Sequence, residues 1–170
     1  MTCEVCNTKL VERIVTLDSP YHYTISGLSD VFLTGIIVRR CIHCATESPI
    51  IPRIAELHKV IAESLADKPG LLTSEEVRYL RKYAGFSSKR FAVLIKVSAS
   101  HLSRFENGSY KRLGAPSDKL ARAVAMSASG EQYVQRVLMQ VADDLIKAQK
   151  AARKQKPTFK LIKNRWTKAA

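Results

Sequence analysis

The distribution of hydrophobic and polar positions along the chain changes near residue 66. Segments 10–17 and 31–40 are rich in Val, Ile, Leu and Thr, and nearby glycines are typical of turns, so the pattern predicts strands. Apolar residues then recur at helical spacing over 54–65, on one face formed by Ile54, Leu57, Ile61 and Leu65. The break at 67–70 contains Pro and Gly, and it predicts a domain boundary at 66–70.

Short helices with clear start signals follow that break. Thr73, Ser87 and Ser98 each stand where a helix N-cap is expected, and Asn107-Gly108 is typical of a helix end. We expect Phe91, Leu94 and Ile95 to face inward from the second helix. The predicted helices cover residues 74–83, 88–95 and 99–106, and a fourth begins near 116. The second and third, joined by a tight turn at 96–98, have the form of a helix-turn-helix.

The last part of the chain has two patterns. Residues 131–153 carry an apolar stripe and predict a long helix, which either packs on its own domain or forms a dimer seam. Residues 154–168 hold six basic and no acidic residues, with Phe159 and Trp166 among them, as expected of a tail that contacts a nucleic-acid groove or phosphates, or of a flexible solvated tail. The sequence thus predicts an α+β protein with a small β module at 1–66, an all-α helix-turn-helix domain at 71–128, and a C-terminal helix and basic tail at 129–170.

Charge separates these parts. The net charge of +13 lies entirely after residue 66, because residues 1–66 carry a net −1, residues 67–126 a net +7 and residues 127–170 a net +7. Such a distribution favours a polyanionic partner such as nucleic acid, although it is also compatible with a merely solvated cationic surface. No apolar run is long enough to span a membrane, and the first residues lack a secretory signal pattern, so we expect a cytoplasmic protein without membrane contact.

Four cysteines form two Cys-x-x-Cys pairs, Cys3 with Cys6 and Cys41 with Cys44. Two such pairs supply four thiolates to one tetrahedral Zn²⁺ and leave no open coordination position, which indicates one structural rather than catalytic zinc ion. The β module at 1–66 is therefore predicted to be zinc-bound. His43 lies inside the second pair and is expected to be exposed, with replacement of one cysteine ligand as the alternative. The absence of an open metal position, a phosphate loop or a carboxylate–histidine motif argues against an enzyme.

The third helix carries the predicted DNA contacts. Its N-terminal residues would enter the major groove, where Arg can bind guanine in a bidentate manner. We expect Ser100 and Arg104 to read bases, followed by His101, with Ala99 and Ser103 on or near the same outer face. Phosphate contacts are expected from the helix starts and the nearby basic residues, although a solvated helix face is the alternative for each lysine. These residues are Ser88, Lys89, Arg90, Lys96, Ser98, Tyr110, Lys111 and Arg112.

Residues 96–108, KVSASHLSRFENG, resemble the centre of an Xre/Cro-type helix-turn-helix. In that family the acidic residue, here Glu106, pairs with an arginine of the first helix, here Arg81. The order of two cysteine pairs followed by this motif resembles MqsA-type antitoxins, the YgiT-type zinc finger proteins, over about residues 1–125. The resemblance implies a homodimer joined through its C-terminal domains. It also implies repression of its own operon from a palindromic operator in double-stranded DNA, and a zinc domain that grips a toxin ribonuclease.

Carried over residue by residue, Arg104 falls on the family's base-reading arginine, and Ser100 falls where the family has an asparagine. The segment between Gly108 and Pro116 is longer than in the family and is basic, and some 45 residues follow the fourth helix. Two alternatives therefore stand beside an antitoxin. One is a regulator of a phage or mobile element without a toxin, and the other is a zinc-ribbon adaptor that binds proteins. RNA is a further partner for a basic zinc protein, but the Xre-type turn favours duplex DNA.

Overall fold

The computed structural model describes residues 1–110 and 112–127, together with the backbone of 159–162 and 165–168. The N-terminal part is built of short strands, and five helices follow, so the described chain has an α+β fold as predicted. The strands are β1 (Leu10–Ile14), β2 (Tyr21–His22), β3 (Phe32–Leu33), β4 (Ile37–Cys41) and β5 (Glu47–Ile50). The helices are α1 (Ile54–Asp67), α2 (Ser74–Tyr83), α3 (Ser88–Leu94), α4 (Ala99–Glu106) and α5 (Ala115–Met126).

The N-terminal strands form two small antiparallel sheets, β1-β4-β5 and β2-β3. The predicted strand over 31–40 is in fact two strands, because Gly35 adopts a φ of 73° between them and its amide donates to the carbonyl of Val15. Strand β5 was not predicted. A small core fills the space between the sheets, and it consists of Val15, Tyr23, Leu33, Ile36 and Val38.

A larger core lies among the helices, and α1 belongs to it. Ala62 and Ala66 of α1 are buried there, as is Leu28 from the loop after β2. Ile54, which was expected on the apolar face of this helix, is 49% exposed because α1 turns its alanine side to the other helices. Leu94, expected to face inward, is also 38% exposed, since α3 ends at that residue.

A polar chain joins the two cores. The Nδ1 atom of His58 on α1 lies 2.7 Å from the hydroxyl of Tyr79 on α2, and its Nε2 lies 3.2 Å from the hydroxyl of Tyr23. The Tyr79 hydroxyl donates to the carbonyl of His58 at 3.2 Å, and burial raises the pKa of Tyr79 far above its usual range. The small N-terminal core and the helical core are therefore connected by side chains as well as by the backbone.

The segment between α1 and α2 is held by a buried ion pair on α5. Arg122 and Asp118, one helical turn apart, are 8% and 3% exposed, and the Arg122 Nε donates to Asp118 Oδ2 at 2.8 Å. Asp118 Oδ1 accepts from the amide of Leu72 at 2.7 Å. The Arg122 guanidinium donates to four carbonyl oxygens, those of Leu65, Ala66, Lys68 and Gly70. The break at 67–70 is thus a fixed connection, and the domain limits proposed from the sequence stay a prediction.

The backbone beyond α5 forms one further pair of antiparallel strands, β6 (Phe159–Ile162) and β7 (Arg165–Lys168). They lie within the segment that the sequence indicated only as a basic tail. The predicted long helix over 131–153 lies outside the described residues. No helix in the described part of the chain is long and apolar enough to cross a membrane.

Candidate metal centre and nucleic-acid interface

The four cysteines converge at one point at the end of the three-stranded sheet. Their sulfur atoms all lie within 4.8 Å of one another, with Sγ–Sγ distances of 3.3 Å between Cys6 and Cys41 and 3.5 Å between Cys3 and Cys44. A tetrahedral ion with metal–sulfur distances of about 2.3 Å places its ligand sulfurs about 3.8 Å apart. All four thiols are free, and Cys3 and Cys41 are buried. The cluster therefore has the size and donor set to hold one metal ion, as predicted.

Each cysteine pair lies in a knuckle of the same construction. The amide of the first cysteine, Cys3 or Cys41, donates to the carbonyl of the threonine five residues later at 2.8 Å and 3.0 Å. The residue after the second cysteine adopts a left-handed conformation in both knuckles, with φ of 56° at Asn7 and 57° at Ala45. The two knuckles thus present their sulfurs from equivalent backbone turns. Their shared sequence, Cys-x-x-Cys-x-Thr, is a short repeat that was not among the predicted features.

The two threonines act on the thiols. The side chain of Thr8 lies 3.4 Å from Cys6 Sγ, and that of Thr46 lies 3.1 Å from Cys44 Sγ. Several hydrogen bonds together lower the pKa of Cys6 to about 5, and the largest contribution comes from the side chain of Thr8. The pKa of Cys44 is also lowered, with the side chain of Thr46 as the largest cause. Lowered thiol pKa values favour the thiolate, which is the form that binds metal. His43 is exposed, as expected, and does not belong to the cluster.

The predicted helix-turn-helix consists of α3, the turn at 95–98 and α4. Ser87 and Ser98 cap the two helices, accepting hydrogen bonds from the amides of Arg90 at 3.3 Å and His101 at 3.1 Å. The turn requires a left-handed residue, and Lys96 supplies it with a φ of 60°. The two helices pack through side chains with no exposed surface, which are Phe91, Ala92, Ile95, Leu102 and Phe105.

A second set of contacts fixes the end of α4 against α2. Arg81 binds both carboxylate oxygens of Glu106, at 2.7 Å and 2.8 Å, which confirms the pair expected from the Xre/Cro resemblance. Arg78, one turn earlier on α2, donates to the carbonyl of Glu106 and, at 3.0 Å, to Asn107 Oδ1. The role of Arg78 was not predicted, although its position three residues before Arg81 places it on the same helix face. Together these contacts orient α4 relative to the helical core.

Most of the predicted DNA-contacting residues are exposed on this unit. The α4 candidates Ala99, Ser100, Ser103 and Arg104 are exposed, and Ser98 and Ser100 lie at its start with their hydroxyls 3.2 Å apart. His101 is only half-buried, but its Nε2 atom has no exposed surface and no hydrogen-bond partner among the described residues. Ser88 is half-buried and Lys111 lies outside the described residues, whereas the other expected phosphate contacts are exposed. These are Lys89, Arg90, Lys96, Ser98, Tyr110 and Arg112.

The exposed charge of the helix-turn-helix segment is entirely positive. Residues 87–112 contain six basic residues and a single carboxylate, that of Glu106. Glu106 is 9% exposed and its carboxylate is bound by Arg81, so no exposed negative charge belongs to this segment. A polar helix face with only positive charge at its rim is suited to a polyanion.

In comparisons with known proteins, no protein-family model matches the chain, and no curated protein matches it.

Proposed function

We propose that α3 and α4 form an Xre/Cro-type helix-turn-helix that recognises a specific sequence in double-stranded DNA. One observation carries this proposal. The short helices α3 and α4 are both capped, and the polar face of α4, which carries Ser100 and Arg104, is exposed. The only carboxylate of residues 87–112, that of Glu106, is buried and paired with Arg81. Serine and arginine side chains can bind base edges in the major groove, and the surrounding cations can bind phosphates.

The experiment that tests the proposal starts from a pool of random duplexes. The full-length chain selects from duplexes randomised over about 25 base pairs, enough for two half-sites one helical turn apart. We expect enrichment of one motif, and two inverted copies of it if the protein binds as a homodimer. Recovery of duplexes without any common motif would refute sequence recognition and leave a basic protein that binds polyanions.

The cysteine cluster is proposed to hold one structural zinc ion. Four thiolates suit zinc, and bound to one ion they would complete a tetrahedral site and leave no free position for substrate. The ion would hold the two knuckles together and so stabilise the sheet on which they lie. Native mass spectrometry of the purified chain is expected to give one zinc per protein. A stoichiometry of zero, or another metal in its place, would contradict this assignment.

The regulatory role follows from the resemblance and is part of the proposal. The protein would repress its own operon in the cytoplasm as a homodimer on a palindromic operator, as MqsA-type antitoxins do, and it would not be an enzyme. A toxin ribonuclease bound by the zinc module is the partner that this family implies. A small ribonuclease reading frame beside the gene would support that partner. A regulator of a phage or mobile element would have none.

A protein-binding adaptor is the second candidate, and one observation favours it. Ile14, Ile37 and Ile50 are paired across β1, β4 and β5, and they are 71%, 38% and 37% exposed. Such an apolar row on the sheet could contact another protein. If binding another protein were the whole role of the chain, the duplex selection would enrich no motif and Arg104→Ala would not change the affinity for DNA.

A further inference from the structure

Arg104 does not extend freely from α4. Its Nε donates to the carbonyl of Ser100 at 3.3 Å, and its Cζ lies 5.3 Å from the centre of the Tyr110 ring. A guanidinium over an aromatic face at this distance is attracted to it. The long side chain is therefore held at two points, one on its own helix and one on the segment that follows the helix.

Tyr110 is itself supported from α4. Its ring centre lies 4.8 Å from that of His101, in a tilted arrangement. The half-buried His101 has no exposed surface at Nε2, so His101 backs the tyrosine ring instead of presenting this atom to solvent. Tyr110 remains 45% exposed. The three side chains make one cluster in which His101 supports Tyr110 and Tyr110 supports Arg104.

We propose that Tyr110 is a positioning residue that sets the sequence preference of Arg104. The inference rests on the proposed function, since it concerns how the same helix would read DNA. A flexible arginine loses conformational freedom when it binds a base, and a ring that already holds the guanidinium reduces that loss. Base contacts distinguish sequences whereas phosphate contacts do not. Tyr110 is thus assigned a role in the preference for one DNA sequence, whereas the amino-acid sequence predicted a phosphate contact for it.

Two substitutions separate the ring from the hydroxyl. Tyr110→Phe keeps the ring beneath Arg104, and Tyr110→Leu removes it but keeps an apolar side chain. The affinity of the protein is measured for the selected duplex and for a scrambled duplex of equal composition. Each Tyr110 variant is made twice, once with Arg104 intact and once together with Arg104→Ala. Tyr110→Leu is expected to lower the ratio of the two affinities roughly twofold to fivefold, the size of an exposed cation–π contact. Tyr110→Phe should keep the ratio.

The Arg104→Ala background decides whether Tyr110 acts through arginine. There, Tyr110→Leu should no longer change the ratio, because the side chain that it positions is absent. The inference is overturned if the leucine variant weakens both duplexes equally, if phenylalanine loses as much as leucine, or if the leucine effect persists without Arg104. A thermal melt of each variant identifies loss of fold, in which case both duplexes weaken together.

Failure of the inference is distinct from failure of the proposed function. If the wild-type protein does not discriminate between the selected and the scrambled duplex, both fall. If it discriminates and Arg104→Ala removes this, but Tyr110→Leu leaves the ratio unchanged, DNA recognition by α4 stands and the positioning role of Tyr110 is refuted.

Discussion

Replacing Arg122 with methionine should destabilise the protein strongly. Methionine fills much of the same volume but removes every hydrogen bond of the guanidinium. Among the described residues, Asp118, which is 3% exposed, would keep only the Leu72 amide as a partner of its carboxylate. Four carbonyl oxygens between residues 65 and 70 would lose a donor. Removing one partner of a buried ion pair costs about 3–5 kcal/mol. That is a large part of the roughly 5–15 kcal/mol by which a typical domain is stable.

The assay is urea unfolding of the full-length chain, followed by circular dichroism. Lys59→Met provides a matched control, because Lys59 and Glu63 also stand one helical turn apart but are 54% and 41% exposed, with 3.9 Å between their charged atoms. An exposed pair of this kind contributes about 0.3–0.5 kcal/mol. If Arg122→Met lowers the free energy of unfolding no more than Lys59→Met does, α5 does not hold the α1–α2 connection as described.

Three further predictions concern the Arg81–Glu106 ion pair, the N-cap of α2 and the threonine beside Cys6. Arg81→Met leaves Glu106 buried without its bidentate partner and should lower the free energy of unfolding by about 3 kcal/mol, measured by urea titration; a loss below about 1 kcal/mol contradicts the role of this pair. Thr73→Ala removes the capping box of α2 and should cost about 1 kcal/mol in the same titration, whereas no measurable loss would mean that the cap is dispensable. Thr8→Val removes the hydroxyl beside Cys6 and should weaken metal binding about tenfold in competition with a chromophoric chelator. Thr16→Val, at an exposed threonine outside both knuckles, is its control, and equal affinities of the two variants would refute the effect of Thr8.

The features that could be predicted from sequence are those with local causes. Ser87 and Ser98 cap helices because a hydroxyl placed just before a helix satisfies an amide of its first turn, whatever surrounds it. Gly108 ends α4 with a φ of 79°, a conformation that glycine adopts readily. The cysteine cluster could also be predicted, because two Cys-x-x-Cys pairs supply all the ligands of a four-thiolate site even though the pairs are far apart in sequence.

Strand β5 and the Arg122 contacts could not be predicted because their causes are distant in sequence. Residues 47–50 include Pro49, which argues against a strand, yet β5 is an edge strand, where a missing amide is tolerated. Asp118 and Arg122 stand four residues apart and look like an ordinary surface pair. Only the fold brings Arg122 to carbonyl oxygens that lie 52 to 57 residues earlier in the chain.

The candidate interface was predicted in part. The exposed positions on α4 follow from helical periodicity, since Leu102 and Phe105 must face the core. The contact of Tyr110 with Arg104 and His101 depends on how residues 107–110 turn back, and no periodic pattern describes that turn. The repeated Cys-x-x-Cys-x-Thr, in contrast, was present in the sequence and could have indicated Thr8 and Thr46.

The DNA affinity of the Arg104→Ala variant decides whether α4 reads the sequence of a duplex. Wild type, Arg104→Ala and Lys59→Ala are compared on the selected duplex and on its scrambled counterpart. Arg104→Ala is expected to weaken binding to the selected duplex about 5- to 150-fold, the value of a good bidentate base contact, and barely to change binding to the scrambled one. Lys59→Ala should change neither. If Arg104→Ala weakened both duplexes equally or neither, α4 would not be the element that reads the sequence.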